Sequence, residues 1–338
     1  MTGRLAAIFG CAGEVLTKSE LKFFQNVKPV GLILFSRNCQ TPSQVRHLIQ
    51  DFRDAVAMDD ILILIDQEGG RVCRLGPPHW RSPPAASVFG DLFACNRAFG
   101  IEAARLNGQI IAADLHDLGI NVDCVPVLDV RVQGAHDIIG DRAFSSDPNA
   151  VAALGSALID GLLAGGVLPM MKHIPGHGRA TIDSHVGLPV VTATREMLDQ
   201  LDFAPFKSLM GTPLAMTAHV KYTVFDESRP ATMSSNVISF IRNDIGFDGL
   251  LLTDDLSMKA MPGTMAERAM ASRCAGCDVL LHCNGNLHEM EIVGEHAGHL
   301  NKFGLRRLSM ALGWLGEPEP IDVSAAMVRI DSLLTQGG

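Results

Sequence analysis

Short apolar segments alternate with longer amphipathic segments along most of this chain. Eight of the short segments are rich in Val, Ile and Leu and have the length of β-strands; they are residues 5–9, 30–35, 61–65, 120–127, 167–171, 213–217, 250–253 and 278–282. Strands that are buried on both faces have continuous apolar sequences, as in a parallel sheet that helices cover. The pattern therefore predicts eight parallel strands.

Helical patterns follow most of these strands. The helices that they predict are residues 41–57, 95–118, 150–163, 194–209, 235–243 and 265–274. Eight successive strand-then-helix units are typical of an α/β fold of the (β/α)8 TIM-barrel type. No linker rich in Pro, Gly or Ser divides the chain, so we expect a single domain over residues 1–338. Residues 322–335 are expected to form a last helix that docks against the barrel.

Composition and charge narrow the class of protein. Hydrophobic residues make up 47% of the 338 residues and charged residues 19%, which excludes a mainly disordered chain. The net charge of −9 argues against a broad nucleic-acid-binding surface. No apolar segment is long enough to cross a membrane, and the apolar segment at 5–10 is too short for a signal-peptide core. We therefore expect the eight cysteines to be reduced thiols.

Charged and imidazole side chains follow six of the predicted strands. In (β/α)8 barrels the active site is built from the loops at the carboxyl ends of the strands. The candidates there are Asp66 and Arg74, Asp129 and Arg142, Lys172, His173 and His177, His219, Asp254 and Asp255, and Asn284. So many polar groups at one end of a barrel favour an enzyme that acts on a polar substrate.

The segment after the fifth strand contains a candidate acid/base pair. A Pro-Gly pair at 175–176 separates His173 from His177, so this segment is predicted to be a loop rather than a helix. Asp183 and His185 lie two residues apart, and in an extended segment their side chains point the same way. A carboxylate beside an imidazole orients the ring and raises its pKa. A loop histidine that a carboxylate simply ties down is the alternative.

Two adjacent carboxylates end the seventh strand. Neighbouring strand residues face opposite sides, so only one of Asp254 and Asp255 can point into the barrel mouth. The other is expected to cap the next helix, as Asp often does. A single inward carboxylate can act as a nucleophile or as an electrostatic stabiliser.

Five motifs occur in order along the chain and carry a family resemblance. They are residues 66–72 (DQEGGRV), 140–144 (GDRAF), 172–178 (KHIPGHG) followed by 183–185 (DSH), 252–258 (LTDDLSM) and 281–285 (LHCNG). With these motifs the chain resembles the β-N-acetylglucosaminidases of glycoside hydrolase family 3, of the NagZ type. The resemblance extends over nearly the whole chain, from about residue 5 to about residue 335.

The resemblance implies roles for eight residues. Asp254 is expected to be the nucleophile that forms a covalent glycosyl-enzyme, and His185 the general acid/base, assisted by Asp183. Retaining glycosidases usually pair two carboxyl groups, so here an imidazole would replace the second one. The sugar hydroxyls are expected to be bound by Asp66, Arg74, Arg142, Lys172 and His173. Neither a cofactor nor a metal is expected.

The resemblance also implies a substrate and a cellular role. Such enzymes release N-acetylglucosamine from 1,6-anhydro-N-acetylmuramyl peptides (muropeptides) during peptidoglycan recycling in the bacterial cytoplasm. The expected partner of this protein is therefore a small carbohydrate, with no nucleic acid and no membrane. We expect the protein to be a monomer.

Two other functions fit the same residues. A metal-dependent barrel hydrolase could use the histidines at the strand ends and one carboxylate as ligands, namely His173, His177, His185, His219 and Asp254. Against it, the paired histidines common at the first strand of such barrels are absent from residues 9–13 (FGCAG). A non-catalytic sugar-binding barrel would need the hydroxyl-binding groups alone.

Overall fold

The computed structural model describes residues 3–337; Met1, Thr2 and Gly338, at the ends of the predicted domain, lie outside the described residues. Eight parallel strands form a closed barrel in which each strand pairs with its neighbours in the chain and the first pairs with the last. They are β1 (Leu5–Phe9), β2 (Pro29–Leu34), β3 (Leu62–Ile65), β4 (Val122–Asp123), β5 (Leu168–Ile174), β6 (Leu214–Thr217), β7 (Leu250–Asp255) and β8 (Val279–His282). Each predicted segment contains or overlaps one of these strands, and the predicted barrel is confirmed.

Helices surround the barrel. They are α1 (Lys18–Val27), α2 (Pro42–Val56), α3 (Ala86–Cys95), α4 (Arg97–Asp117), α5 (Pro148–Ala164), α6 (Arg195–Gln200), α7 (Ala204–Ser208), α8 (Ser235–Phe240), α9 (Met265–Ala275), α10 (Leu287–Ala297), α11 (Lys302–Leu312) and α12 (Val323–Gly337). Short strands Gln67–Gly69 and Val72–Cys73 form a hairpin after β3, and Val190–Val191 pairs with Lys221–Tyr222. Within residues 3–337, no helix has both the length and the apolar character needed to cross a bilayer.

The helix predicted at 194–209 is wrong in one respect, because it is two helices, α6 and α7. Pro205 occupies the first turn of α7, where a missing backbone N–H costs nothing, and this favours a new start. Between the two helices, Phe203 is fully buried and Asp202 pairs with Arg179 (Nε to Oδ2, 2.7 Å). These contacts turn the chain inward and end α6.

Two apolar layers explain why the strands are continuously apolar. Alternate residues of β1 show the division: Ala6 and Ile8 belong to the cluster inside the barrel, and Ala7 and Phe9 to the cluster between strands and helices. All strand side chains are thus removed from water on one face or the other. Leu308 of α11 packs against the inner cluster.

The last predicted helix is present as α12. Asp322 caps it by accepting the backbone N–H of Ala325 at 3.0 Å. Ala326 and Ile330 are buried against Ile110 of α4. The helix therefore docks on the outside of the barrel, as the sequence predicted for residues 322–335.

Candidate active site

A pocket of about 320 Å³ opens at the carboxyl ends of the barrel strands. This volume suits a small ligand. Most of the residues that the sequence predicts for the site line this pocket; they are Asp66, Arg74, Arg142, Lys172, His173, His185 and Asp254. The remaining one, Asp183, contacts His185. The barrel thus gathers these side chains from four strand ends, those of β3, β4, β5 and β7, as its topology requires.

One wall of the pocket is a network of ion pairs. Lys172 Nζ lies 2.7 Å from Asp66 Oδ1 and 2.7 Å from Glu68 Oε1. Arg74 donates to the other oxygen of Asp66 at 2.9 Å. Arg142 binds Glu68 through two parallel hydrogen bonds of 2.8 Å. Such fork-to-fork pairs are short and directional, so the side chains are held in place before a ligand arrives.

The charged groups of this wall stabilise the ionised forms of one another. Burial by itself raises the pKa of Glu68, but the Lys172 ammonium and the Arg142 guanidinium outweigh burial and lower it to about 2. Lys172 and Arg74 likewise hold the pKa of Asp66 well below its ordinary value, against the effect of burial. The two carboxylates keep Lys172 protonated, because they raise its pKa although burial lowers it. Near neutral pH the wall therefore presents ionised carboxylates and cations, the donors and acceptors that sugar hydroxyls need.

Glu68 has no role in the sequence analysis, although it joins two of the predicted binding residues. Its side chain is 5% exposed and lies between Lys172 and Arg142. The signal was present in the sequence: Glu68 lies two residues after Asp66, and in an extended segment residues at that spacing face the same side.

Asp129 anchors the start of the loop after β5. Its Oδ2 accepts a hydrogen bond from His173 Nδ1 at 2.6 Å, and its Oδ1 accepts the backbone N–H of His177 at 2.6 Å. Asp129 is fully buried, and its interactions with His173 and His177 lower its pKa although burial raises it. Because Nδ1 of His173 is engaged, Nε2 is the nitrogen that remains for the pocket.

The expected contact between Asp183 and His185 exists, but the extended conformation expected for it is wrong. Residues 183–187 form a turn, in which the carbonyl of Asp183 accepts the N–H groups of Val186 and Gly187. One carboxylate oxygen of Asp183 accepts both the backbone N–H of His185 (2.8 Å) and its Nδ1 (2.9 Å). A carboxylate that bonds the backbone two residues ahead stabilises a turn, and this outweighs the extended form. The imidazole of His185 is 64% exposed at the pocket mouth.

Asp254 and Asp255 face different surroundings, as expected, but Asp255 does not cap the next helix. Asp254 lines the pocket, whereas Asp255 accepts the N–H and Oγ of Ser257 and the N–H of Cys283. Thr264 is the N-cap of α9 instead. Nine residues separate Asp255 from α9, and the chain turns away from the pocket within them. The carboxylate of Asp255 stabilises the start of this turn through Ser257 and ties β7 to the end of β8 through Cys283.

Asp254 is ionised in the folded protein. Burial raises its pKa, but His219, His173 and the N–H of Asp255 together bring the pKa below its ordinary value. His219 stabilises the same strand end, since its Nε2 donates to the carbonyl of Asp255 at 3.0 Å. Its Nδ1 lies 2.7 Å from the hydroxyl of Thr232. An anionic carboxylate and an exposed imidazole thus line the same pocket.

The histidines weighed as metal ligands bind other groups. His219 binds the carbonyl of Asp255, and His173 binds the carboxylate of Asp129. The Nε2 of His177 lies 3.3 Å from the hydroxyl of Ser184. In the part of the chain that the structure describes, no three His, Cys, Asp or Glu side chains form a group suited to share a metal ion.

Comparison with known proteins places this site in a family. Residues 16–302 match the glycosyl hydrolase family 3 N-terminal domain. The chain is 37% identical over 278 residues to a β-hexosaminidase of Bordetella avium, which covers 81% of this chain and 79% of that protein. It is 38% identical over 281 residues to the β-hexosaminidase of Methylococcus capsulatus, with 82% of each chain covered.

Solved structures agree with the sequence relatives. The crystal structure of native NagZ from Neisseria gonorrhoeae superimposes with a TM-score of 0.86 at 31% identity and covers 98% of both chains. A family 3 β-N-acetylglucosaminidase from Paenibacillus superimposes with a TM-score of 0.87 at 28% identity, covering 98% of this chain and 67% of that one. The family resemblance predicted from the motifs is confirmed: this chain belongs to glycoside hydrolase family 3 and is a glycosidase of the β-N-acetylhexosaminidase type.

Proposed function

We propose that this enzyme hydrolyses a terminal β-linked N-acetylglucosamine with retention of configuration, using Asp254 as nucleophile and His185 as general acid/base. The observation that carries the proposal is that an ionised carboxylate and a carboxylate-bound imidazole line one pocket. Asp183 orients the imidazole through its hydrogen bond to Nδ1, which leaves Nε2 to exchange protons with the substrate.

The reaction takes place in two displacements. In the first, Asp254 bonds to the anomeric carbon, the bond to the leaving-group oxygen breaks, and that oxygen takes a proton from His185. In the second, His185 takes a proton from water, the water oxygen bonds to the anomeric carbon, and the carboxylate of Asp254 leaves. The imidazole returns to its starting state, so no cofactor takes part.

The ion-pair wall would bind the sugar. Asp66 accepts hydrogen bonds from hydroxyls, and Arg74, Arg142, Lys172 and His173 donate to the remaining oxygens. The size of the pocket fits one sugar ring with its N-acetyl group. A NagZ from Neisseria gonorrhoeae has been solved with N-trifluoroacetyl-D-glucosamine, a close analogue of this sugar, which supports the choice.

The family relationship supports a more specific substrate. The NagZ relatives match this chain along almost their full length, and this supports muropeptide substrates and a cytoplasmic role in peptidoglycan recycling. The protein would act as a monomer on a small carbohydrate, without nucleic acid or membrane as partner. Residues 1–338 would form one domain that contains the complete pocket.

Trapping of the covalent intermediate tests the mechanism. A fluorinated N-acetylglucosaminyl fluoride is expected to inactivate the enzyme and to label the peptide that contains Asp254, as peptide mapping by mass spectrometry will show. Asp254→Ala should abolish both turnover and labelling. Exhaustive chelation should leave turnover of an aryl N-acetyl-β-glucosaminide unchanged. Labelling at another carboxylate would refute the assignment of Asp254, and loss of activity on chelation would favour the metal-dependent hydrolase.

A further inference from the structure

Ser184 is the buried point of an otherwise exposed turn. The side chain of His185 is 64% exposed and Val186 is 72% exposed, whereas Ser184 between Asp183 and His185 is only 4% exposed. A small polar residue that is buried in a surface turn usually has hydrogen-bond partners. Both the backbone and the side chain of Ser184 have one.

The two partners of Ser184 belong to different parts of the barrel. Its carbonyl accepts the backbone N–H of Ala260 at 3.0 Å, in the segment that follows Asp254 and β7. Its hydroxyl lies 3.3 Å from Nε2 of His177, a residue only 3% exposed, at the start of the same loop. Ser184 therefore connects the turn that carries His185 to the segment that follows β7 and to the buried start of its own loop.

The His177 end of this connection is itself held firmly. The backbone N–H of His177 is bound by Asp129, and the next residue, Gly178, packs so closely on the carbonyl of Val130 that any side chain there would collide with it. Burial lowers the pKa of His177 to about 4, with the neighbouring His173 adding to the effect. The ring is therefore neutral at the pH of the cytoplasm, and either it or the Ser184 hydroxyl can donate. The Nδ1 of His177 is buried without a partner among the described residues, so the hydroxyl of Ser184 is the hydrogen-bond partner of this ring.

We propose that Ser184 is a positioning residue that holds the turn carrying His185 against the barrel, so that the imidazole can reach the leaving-group oxygen of a sugar that Asp254 attacks. The proposal rests on the proposed function, because it takes His185 to be the acid/base. Asp183 sets the orientation of the imidazole within the turn, but among residues 3–337 its hydrogen bonds all lie within the turn itself. Ser184 sets where the turn stands relative to the barrel. Its hydroxyl does not need to touch the substrate.

Leaving-group dependence separates a positioning role from a structural one. A good leaving group departs without protonation, whereas a poor one needs the acid. In Ser184→Ala, kcat/KM for a methoxyphenyl N-acetyl-β-glucosaminide should fall about 10- to 100-fold, since a small misplacement of a catalytic group costs that much. For a dinitrophenyl N-acetyl-β-glucosaminide, kcat/KM should change less than about 2-fold, because this leaving group needs no acid. Its kcat should fall, because water still needs the general base in the second displacement. Azide should restore kcat, since it attacks the glycosyl-enzyme without a general base.

Matched variants complete the experiment. Thr181→Ala removes a hydroxyl from an exposed position on the same loop and should leave both substrates unaffected. Ser184→Cys fills the same space with a weaker hydrogen-bonding group and should show an intermediate loss on the methoxyphenyl substrate. In a His185→Ala background, Ser184→Ala should have no further effect, because a residue that acts through His185 has nothing left to position.

Four outcomes would overturn the inference. Equal losses on both substrates together with a lower Tm would make Ser184 structural, as would additive losses in the double variant. Normal kinetics on the methoxyphenyl substrate in Ser184→Ala would show that the hydroxyl is not needed. If His185→Ala itself showed no leaving-group dependence, the acid/base assignment would fail and the role of Ser184 with it. When His185→Ala shows that dependence and Ser184→Ala does not, only the present inference fails.

Discussion

Asp123 is a buried carboxyl group that the proposed chemistry does not use. It ends β4 close to the ion-pair wall, and its Oδ1 accepts the backbone N–H of Gln67 at 2.9 Å. Its Oδ2 is buried and has no partner among residues 3–337. Burial raises the pKa of Asp123 to about 7, since the hydrogen bond from Gln67 and the charge of Lys172 offset burial only in part.

The raised pKa of Asp123 predicts how stability depends on pH. In the unfolded chain this group titrates near pH 3.9, so between about pH 4 and about pH 7 the folded state binds more protons than the unfolded state. Stability is therefore lost from this group as pH rises through that window. Asp123→Asn removes the titration, and its Tm relative to the natural protein should rise steadily from about pH 4 to about pH 8.

Thermal unfolding followed by circular dichroism across this pH range measures the effect. Asp51→Asn, on the exposed side of α2, is the control and should parallel the natural protein at each pH. A constant Tm difference between Asp123→Asn and the natural protein at all pH values would contradict the assignment.

At the scale of elements, Glu68 joins three separate segments. It belongs to the hairpin after β3, Lys172 to β5, and Arg142 to the turn Gly140–Arg142 after β4. Removing one member of a buried ion pair leaves the other buried charges uncompensated. Glu68 therefore fixes Arg142 relative to β3 and shares with Asp66 the task of fixing Lys172.

Glu68→Ala should destabilise the protein by about 3–5 kcal/mol, the usual cost of breaking a buried ion pair. It should also raise KM for an aryl N-acetyl-β-glucosaminide, because Lys172 and Arg142 lose the group that orients them. Glu102→Ala is the matched control: it breaks a surface pair with Arg329 in which both side chains are more than 40% exposed, and it should cost less than about 1 kcal/mol. Urea unfolding measures both values, and equal costs would show that Glu68 is not a structural centre of the pocket.

The elements themselves were largely predictable because each has a local cause. Every barrel strand lies within or overlaps an apolar segment, and these segments are apolar since both strand faces are covered. The predicted helix at 194–209 failed where local pattern and tertiary packing disagree: Phe203 and Asp202 are drawn inward, and helical periodicity alone does not show this. The prediction that residues 183–185 are extended failed for a related reason. The carboxylate of Asp183 accepts the backbone N–H of His185, and this hydrogen bond favours a turn over an extended chain.

At the scale of the whole molecule, the sequence predicts which residues reach the pocket but not which of their side chains bind one another. The rule that barrel enzymes act at the carboxyl ends of their strands suffices to bring Asp66, Lys172 and Asp254 to one pocket. That Lys172 binds Glu68, more than a hundred residues away in the chain, depends on the curvature of the closed barrel and on side-chain directions. The spacing of residues along the sequence shows neither the curvature of the barrel nor the direction of a side chain. The partners of Asp129 were missed for the same reason.

The proposal of one domain over residues 1–338 makes a prediction about cooperativity. Ile330 of α12 is 4% exposed and packs against Ile110 of α4, which in turn packs extensively on α5. Among the described residues, those that line the pocket include none from α12. If α12 belongs to the same folding unit, Ile330→Ala should shift the loss of helix signal and the loss of glycosidase activity in urea together, toward lower urea. The cost should be about 2–5 kcal/mol, as for other large-to-small changes in a core.

Val328 supplies the control on the same helix, because its side chain is 69% exposed and Val328→Ala should change stability by no more than about 0.5 kcal/mol. Activity reports the pocket and the helix signal reports the whole chain, so their coincidence is a direct test of one cooperative unit. An early, separate loss of part of the helix signal in Ile330→Ala, with activity lost at the same urea concentration as in the natural protein, would contradict the single domain. It would mean that α12 unfolds on its own and that the barrel which contains Asp254 and His185 is stable without it.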